Sequence, residues 1–295
     1  MRYVLAMVAA IAMSGAVAQD RPTMAGVLDA SRDSDWRHLD PDNTLYMQMS
    51  NGLVVFELAP KFAPAHIANI RNLVSNRYFD GLSIIRSQDN YVVQWGDVNA
   101  GTNSARTQGN ALAVLELEAY RNAKNLPFTA LASRDAYADE VGFSDGFPVG
   151  RDGADGRAWL THCYGMLGVG RGNSPRSGNG AELYVVTGHA PRHLDRNVTL
   201  VGRVVHGIEH LTTLPRGTGP LGFYENETEY VPIESIRFGS ELAEDERLAI
   251  ELLRTDTDTF QSLVEARRYR AEEWFVDPAD RIGLCNVPLP TRLVN

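Results

Sequence analysis

Two polar residues in an otherwise apolar stretch are the first candidates for chemistry. In "GLSIIRSQDNYVVQWGD", residues 81–97, Arg86 follows an apolar pair and Gln94 lies inside the next apolar run. A guanidinium offers fixed hydrogen-bond donors, and an amide offers both a donor and an acceptor. Such a pair can hold and polarise a substrate backbone, although it provides no nucleophile, metal ligand or proton shuttle. The structural alternative is a surface ion pair for Arg86 and an ordinary half-buried amide for Gln94.

A serine is the second candidate. Residues 142–146, "GFSDG", match the G-x-S-x-G pattern, in which a strained turn between a strand and a helix exposes a nucleophilic serine. That turn needs a buried strand before Ser144 and a helix after it. Because "YADEV" precedes the motif and "FPVGRDG" follows it, a serine hydrolase is only a remote alternative.

Metal and phosphate sites are weakly indicated. In "HGIEH", His206 and His210 are four residues apart, as in the zinc-binding helix motif H-E-x-x-H. That motif has its glutamate directly after the first histidine, whereas here Glu209 precedes the second. The segment "GVGRG", residues 168–172, lacks the final glycine at the spacing of the phosphate-binding G-x-G-x-x-G pattern and a following helix, so a loop lining a peptide groove fits it better than a phosphate site. We expect no metal and no cofactor.

Composition describes a globular chain with one large domain or two small ones. The chain has 295 residues, 44% of them hydrophobic and 22% charged. Its formal net charge is −9, and its Lys and Arg residues are scattered without a basic cluster. Nucleic acid is therefore not an expected partner. The sequence does not predict an oligomeric state.

The N-terminus has the pattern of a secretory signal. Arg2 precedes an apolar run from Val4 to Met13, and small residues lead to a predicted cleavage site after Ala18. The apolar run is shorter than the roughly 20 residues that a membrane-spanning helix needs. We therefore predict a signal peptide at 1–18 and a mature chain that is periplasmic or secreted, without a membrane anchor.

The two cysteines leave two possibilities open. Cys163 and Cys285 could form a disulfide in an oxidising compartment. Two free buried thiols are an equal alternative, because sequence separation does not fix the distance that a bridge requires.

Local patterns predict a mainly β domain with few helices. Residues 19–41 are polar and predicted to be flexible, and residues 98–160 are rich in turn signals and predicted to be a long surface insertion. The predicted elements are a hairpin at 46–58 around Asn51-Gly52, a helix from Pro64 to about Asn76, strands at 82–85, 91–95, 182–187 and 199–205, and a short helix at 207–214. His66 lies off the apolar face of its helix and is predicted to be solvated. Many short strands without a βαβ rhythm indicate an antiparallel barrel or sandwich.

The tail, residues 238–295, is predicted to be a helical extension. Ser240 is a candidate cap for a first helix, and Thr257 or Asp258 for a second. In the second helix, Phe260, Leu263, Val264 and Arg267 form a stripe expected to pack on the barrel. The aromatic residues near the end of the tail are interpreted as packing residues.

The order of these parts resembles the cyclophilin-type peptidyl-prolyl cis-trans isomerases. The family's motif from its Y-x-G-x-x-F-H-R segment to its Q-G-G-D segment aligns without a gap, with matches at Phe79, Gly81, Arg86, Tyr91, Gln94, Gly96 and Asp97. The resemblance implies a closed eight-stranded antiparallel β-barrel capped by helices. It places that domain at 42–237, with the insertion and the C-terminal extension as additions.

The resemblance also implies roles for individual residues. Arg86 would be the catalytic cation and Gln94 a hydrogen-bonding partner of the substrate backbone. The proline pocket would be formed by Tyr91, Val92, Tyr184 and Leu194. Three substrate-site positions depart from the family pattern and hold Glu182, His193 and Val198.

The function implied is cis-trans isomerisation of X-Pro bonds in proline-containing polypeptides, in support of the folding of exported proteins. The alternative is a peptide-binding or chaperone module of the same fold with little or no catalysis. A carboxylate at Glu182 could pair with Arg86 and hold it away from substrate, so the pairing of these two side chains distinguishes the hypotheses.

Overall fold

Three sheets and four helices make up residues 21–294, the part of the chain that the structure, a computed structural model, describes. The helices are α1 (Met24–Asp29), α2 (Pro64–Ser75), α3 (Glu209–Thr212) and α4 (Asp258–Arg268). The strands are β1 (Trp36–His38), β2 (Thr44–Met49), β3 (Gly52–Leu58), β4 (Ser83–Ser87), β5 (Val92–Gly96), β6 (Arg121–Asn122), β7 (Thr129–Ala130), β8 (Glu140–Ser144), β9 (Phe147–Asp152), β10 (Arg157–Leu160), β11 (Met166–Val169), β12 (Leu183–Val186), β13 (Leu200–His206), β14 (Val231–Phe238), β15 (Ile250–Leu253) and β16 (Thr291–Leu293). None of the helices within 21–294 is long and apolar enough to cross a bilayer. The predicted signal peptide lies outside the described residues.

Eight strands close an antiparallel barrel in the order β11-β12-β5-β4-β14-β2-β3-β13, which confirms the predicted fold class. Alternation along β5 places Val93 and Trp95 in the barrel core, while Val92 packs in a second core outside it. The predicted apolar face of α2 contributes Ile70 and Leu73 to the barrel core. The barrel therefore has a filled interior, and the residues that face outward are free to form a site.

The predicted insertion contains a second sheet. Strands β6 to β10 form a five-stranded sheet in the order β6-β10-β9-β8-β7. Phe143 and Val149 of this sheet pack in the second core together with Val92 and Tyr184 of the barrel. The insertion is thus a structured layer against one outer wall of the barrel, next to the strands that carry the candidate site.

Both ends of the described chain meet in the third sheet, with the order β1-β15-β16. Residues 19–41 were expected to be flexible, whereas α1 and β1 form within them, because β1 pairs with β15 (Trp36 opposite Leu253) and α1 contacts α4. The prediction of a helix that begins at Ser240 is wrong. Short 3₁₀ turns at Gly239–Glu241 and Glu244–Glu246 lead instead into β15.

The second helix of the tail is confirmed as α4. The Thr257 side chain caps it by accepting a hydrogen bond from the Phe260 backbone at 3.2 Å. Leu263 and Val264 are buried beside Phe260, while Arg267 lies outside the buried stripe. The tail is therefore a mixed extension of strands and one helix.

Two further expectations are decided by the structure. Cys163 and Cys285 form a disulfide. His66 is buried, not solvated, and its Nδ1 lies 2.8 Å from the Glu118 carboxylate, which comes from the insertion. A carboxylate partner that is distant in sequence allows a polar ring to be buried where helical periodicity alone predicts exposure.

Candidate active site

A β-bulge aims Arg86 at the outer surface of the barrel. In the pairing of β4 with β5, Ile84 lies opposite Trp95 and Arg86 lies opposite Gln94, so β4 accommodates one extra residue. Ile84 and Trp95 both lie in the barrel core. Without the bulge, Arg86 would share the inner face with Ile84, because side chains two residues apart in a strand point the same way. With the bulge, Arg86 and Gln94 are neighbours on the outer face.

Each nitrogen of the Arg86 guanidinium donates a hydrogen bond to the protein. Nε donates to the Leu221 carbonyl at 2.8 Å, Nη1 donates to Oε1 of Gln94 at 3.1 Å, and Nη2 donates to Oε1 of Gln88. The guanidinium carbon also lies 5.5 Å from the centre of the Tyr91 ring and 5.2 Å from that of Phe223. Burial lowers the pKa of Arg86, an effect that Tyr91 opposes, and the side chain stays protonated.

Glu182 binds Gln94. Nε2 of Gln94 donates to Oε2 of Glu182 at 2.9 Å, and no ion pair joins Glu182 to Arg86 among the described residues. Because a carboxylate only accepts hydrogen bonds, this contact turns the amide oxygen of Gln94 toward Arg86. Glu182 therefore helps to orient the Gln94 amide, and the Gln94 amide in turn binds the Arg86 guanidinium.

A cavity of about 490 Å³ opens beside Arg86. It brings together seven of the eight residues predicted for the site: Arg86, Tyr91, Val92, Gln94, Glu182, Tyr184 and Leu194. Val198, one of the departures from the family pattern, also lines the cavity, as does the 169–172 part of the glycine-rich "GVGRG" segment. Apolar side chains and the guanidinium line the same cavity, an arrangement that can hold a small ring beside a hydrogen-bond donor.

His193 lies outside this cavity. It is exposed, and it belongs to a 3₁₀ turn, Arg192–Leu194, whose successive side chains point in different directions. Leu194 faces the cavity and Arg192 is buried on the other side. The predicted contribution of His193 to substrate binding therefore has no support from the geometry.

A comparison of the sequence with models of protein families shows the family of this chain. Residues 44–237 match the family model of cyclophilin type peptidyl-prolyl cis-trans isomerases. The chain belongs to this family. The matched residues include all eight strands of the barrel except the last residue of β14, and every residue that lines the cavity.

Relatives of this cyclophilin share much of its length. Probable peptidyl-prolyl cis-trans isomerases from Brucella suis and Brucella melitensis are each 24% identical over 179 residues, which cover 61% of this chain and 74% of theirs. The crystal structure of cyclophilin AquaCyp293 from Hirschia baltica superposes with a TM-score of 0.69 and 26% identity, over 92% of this chain and 98% of that one. The structural match therefore extends beyond the cyclophilin domain itself.

Sequence reasoning missed part of the cyclophilin site. Leu221 and Phe223 line the cavity from the loop before β14, and Phe223 also forms an isolated β-bridge with Arg86. Leu221 is 67% exposed and has a left-handed backbone with φ of 58°, which is unusual for a leucine. The sequence shows only an apolar residue next to Gly222. No spacing along the chain indicates that this loop lies beside β4.

The other candidate motifs do not form sites of the predicted kinds. Ser144 ends β8, and the turn after it, with positive φ at Asp145 and Gly146, leads into β9, so no helix follows the serine. The Ser144 hydroxyl is buried. Within residues 21–294, no group of three or more His, Cys, Asp or Glu side chains could hold a metal, and the "HGIEH" histidines are divided between β13 and α3.

Proposed function

We propose that this cyclophilin catalyses the cis-trans isomerisation of X-Pro bonds in exported polypeptides, with Arg86 as its catalytic residue. Rotation about the peptide bond is opposed by a barrier of roughly 18 to 20 kcal/mol, because resonance gives the C–N bond partial double-bond character. No covalent bond breaks during the rotation. A catalyst therefore has to bind the twisted amide more tightly than the planar one.

The placement of Arg86 in the wall of the cavity, together with apolar side chains, carries this proposal. A guanidinium has five N–H groups, and three of its hydrogen bonds go to the protein, so donors remain for a substrate. A proline ring held against Val92, Tyr184 and Leu194 would lie beside these donors. In the twisted amide the lone pair is localised on the prolyl nitrogen, and a hydrogen bond from Arg86 to that nitrogen would stabilise the transition state selectively.

The contact between Glu182 and Gln94 supports catalysis over the peptide-binding alternative. Glu182 accepts from Gln94, and no carboxylate within residues 21–294 forms an ion pair with Arg86. The observation that favours the alternative is that three donors of Arg86 are already occupied by Leu221, Gln88 and Gln94. The substrate in either case is a proline-containing polypeptide.

Export to the periplasm or beyond rests on two observations. The N-terminal residues 1–18 have the pattern of a cleaved signal, and the Cys163–Cys285 disulfide suits an oxidising compartment. Free thiols in protein taken from cells would contradict this location.

The test is a prolyl-peptide isomerisation assay on the mature protein and on Arg86→Ala. We expect the substitution to reduce kcat/KM by about 10²- to 10³-fold, the range seen when one preorganised transition-state donor is removed. Arg281→Ala removes a guanidinium that is 91% exposed and does not line the cavity, and should leave the rate unchanged. Equal, uncatalysed rates for the wild type and Arg86→Ala would reject catalysis in favour of peptide binding alone.

A further inference from the structure

The apolar wall of the cavity includes a tyrosine whose hydroxyl points away from the cavity. Tyr184 lies on β12 and is 6% exposed, and its ring lines the cavity. Its Oη lies 2.8 Å from Nε2 of His162, which is fully buried. The ring alone provides the apolar surface of the cavity wall. The hydroxyl can contribute to the cavity only by fixing the orientation of the ring. A buried hydroxyl is stable only with a hydrogen-bond partner, and His162 is that partner.

His162 is itself held in one orientation. Its Nδ1 lies 2.9 Å from Oδ1 of Asp195, and the same oxygen accepts the backbone N–H of His162 at 2.9 Å. The carboxylate can only accept, so Nδ1 carries a proton, and Nε2 makes the hydrogen bond with the Tyr184 hydroxyl. Burial raises the pKa of Tyr184, with further contributions from Tyr91 and Asp195, and keeps the phenol protonated.

Two more side chains extend the contact into the insertion. Nε of Arg192 donates to Oδ2 of Asp195 at 2.5 Å, and the Nη atoms of Arg192 donate to both carboxylate oxygens of Asp135 at 2.9 and 3.0 Å. We call the five residues Tyr184, His162, Asp195, Arg192 and Asp135 the Tyr184 network. The side chains of the other four members, apart from Tyr184, are each at most 10% exposed.

The insertion determines where His162 sits. His162 follows β10 closely, and the preceding residue, Thr161, donates its backbone N–H to the Pro148 carbonyl of β9 at 3.1 Å. Asp135 lies between β7 and β8. The segments that connect to the strands of the second sheet therefore carry both the histidine next to the tyrosine and the carboxylate at the far end of the Tyr184 network.

We infer that His162 is a positioning residue, which holds the Tyr184 ring in the wall of the cavity so that the insertion shapes the site for the proline ring. This inference rests on the proposed function. Arg86 makes its hydrogen bonds with Gln88, Gln94 and Leu221, none of which belongs to the Tyr184 network. Loss of His162 should therefore weaken substrate binding and leave the chemistry of the bound substrate intact.

A double-mutant cycle tests the inference, using His162→Gln, Tyr184→Phe and the combination of the two. The readouts are kcat and KM for a prolyl peptide and Kd for a proline-containing peptide by calorimetry. We expect each single variant to raise KM and Kd by about three- to tenfold, the size of one lost hydrogen bond, with kcat within about twofold of wild type. The double variant should have KM and Kd values no higher than those of the more impaired single variant, because both substitutions remove the same contact.

Glu251→Gln is the matched control. Glu251 is a buried carboxylate that accepts from Nε of Arg292 at 2.7 Å in the third sheet, and it does not line the cavity. It should lower the melting temperature and leave KM and Kd unchanged. If His162→Gln does not fold, Asp135→Asn replaces it in the same cycle with Tyr184→Phe.

Two results would overturn the role of His162. One is a KM effect of His162→Gln that persists in full in the Tyr184→Phe background. The other is wild-type KM and Kd in both single variants, with only their melting temperatures lowered. A wild type no faster than Arg86→Ala would reject the proposed catalysis separately, and the Kd cycle would still decide whether His162 positions Tyr184.

Discussion

At the scale of single residues, the hydrogen bonds around Arg86 have a fixed direction. Glu182 accepts from the amide nitrogen of Gln94, and the amide oxygen of Gln94 accepts from Arg86. The amide of a glutamine can be turned over without a change in shape, so its orientation depends on its partners. Here both partners favour the same orientation, since an NH₂ group turned toward Arg86 would place donor against donor, and an amide oxygen turned toward Glu182 would place acceptor against acceptor.

This direction predicts different outcomes for two substitutions of Glu182. Glu182→Ala removes the acceptor that anchors the amide nitrogen of Gln94, so that the Gln94 side chain keeps only its bond to Arg86 and is a less fixed partner. We expect kcat/KM to fall by about three- to tenfold. Glu182→Gln retains an amide oxygen as acceptor and should stay within about twofold of wild type. Wild-type kcat/KM in Glu182→Ala would show that the carboxylate does not orient Gln94.

The sequence predicted those parts of the site that are close together along the chain. Arg86 and Gln94 were recognisable because β4 and β5 are adjacent strands whose spacing is preserved in the family motif. Phe223 and His162 were not, because each reaches the site through loops and sheets whose packing has no local pattern. His193 was predicted for the site but does not line the cavity, since similarity at a turn does not tell which of its side chains faces the cavity.

At the scale of elements, strand pairing overrode local propensity. The segment after Ser240 is rich in Glu, Leu and Ala, which favour helix. It nevertheless forms β15, because β1 and β16 pair with it on both sides. Most barrel strands and α2 were predictable from sequence, as their apolar periodicity and the Asn51-Gly52 turn are local features, whereas β14 was not predicted.

Helix α4 should contribute much of the stability of the second core. Phe260 is 1% exposed and makes an edge-to-face contact with Phe143 of the insertion, with ring centres 5.1 Å apart. We expect Phe260→Ala to reduce the free energy of unfolding by about 3 to 5 kcal/mol, as measured by urea denaturation. Gln261→Ala, on the exposed side of α4, should change it by less than about 0.5 kcal/mol. Similar midpoints for the two variants would mean that α4 is not a structural part of the insertion's core.

At the scale of the whole molecule, the barrel, the insertion and the terminal sheet meet at one buried charge. Glu57 of β3 is 7% exposed and accepts from Arg203 of β13 at 3.1 Å and from Arg37 of β1. Arg37 also donates to the Asp145 carbonyl in the hairpin turn of the insertion, at 3.0 Å. Removing one partner of a buried ion pair leaves the other uncompensated, so the barrel and the terminal sheet depend on each other at Glu57, and the insertion adds a backbone acceptor for Arg37. The insertion is therefore an integral part of this cyclophilin.

The disulfide connects the same units covalently and gives a prediction for the whole chain. Cys163 directly follows His162, Cys285 lies in the tail, and the two are 122 residues apart. A cross-link that closes a loop of this length restricts the unfolded chain strongly, so replacing both cysteines with alanine should lower the free energy of unfolding by about 3 to 5 kcal/mol. Urea denaturation with and without a thiol reductant measures this: the reductant should destabilise the wild type by a similar amount and leave the double variant unaffected. A wild type that is insensitive to the reductant and reacts with a thiol-labelling reagent before reduction would contradict the disulfide, and with it the oxidising compartment in which we place the protein.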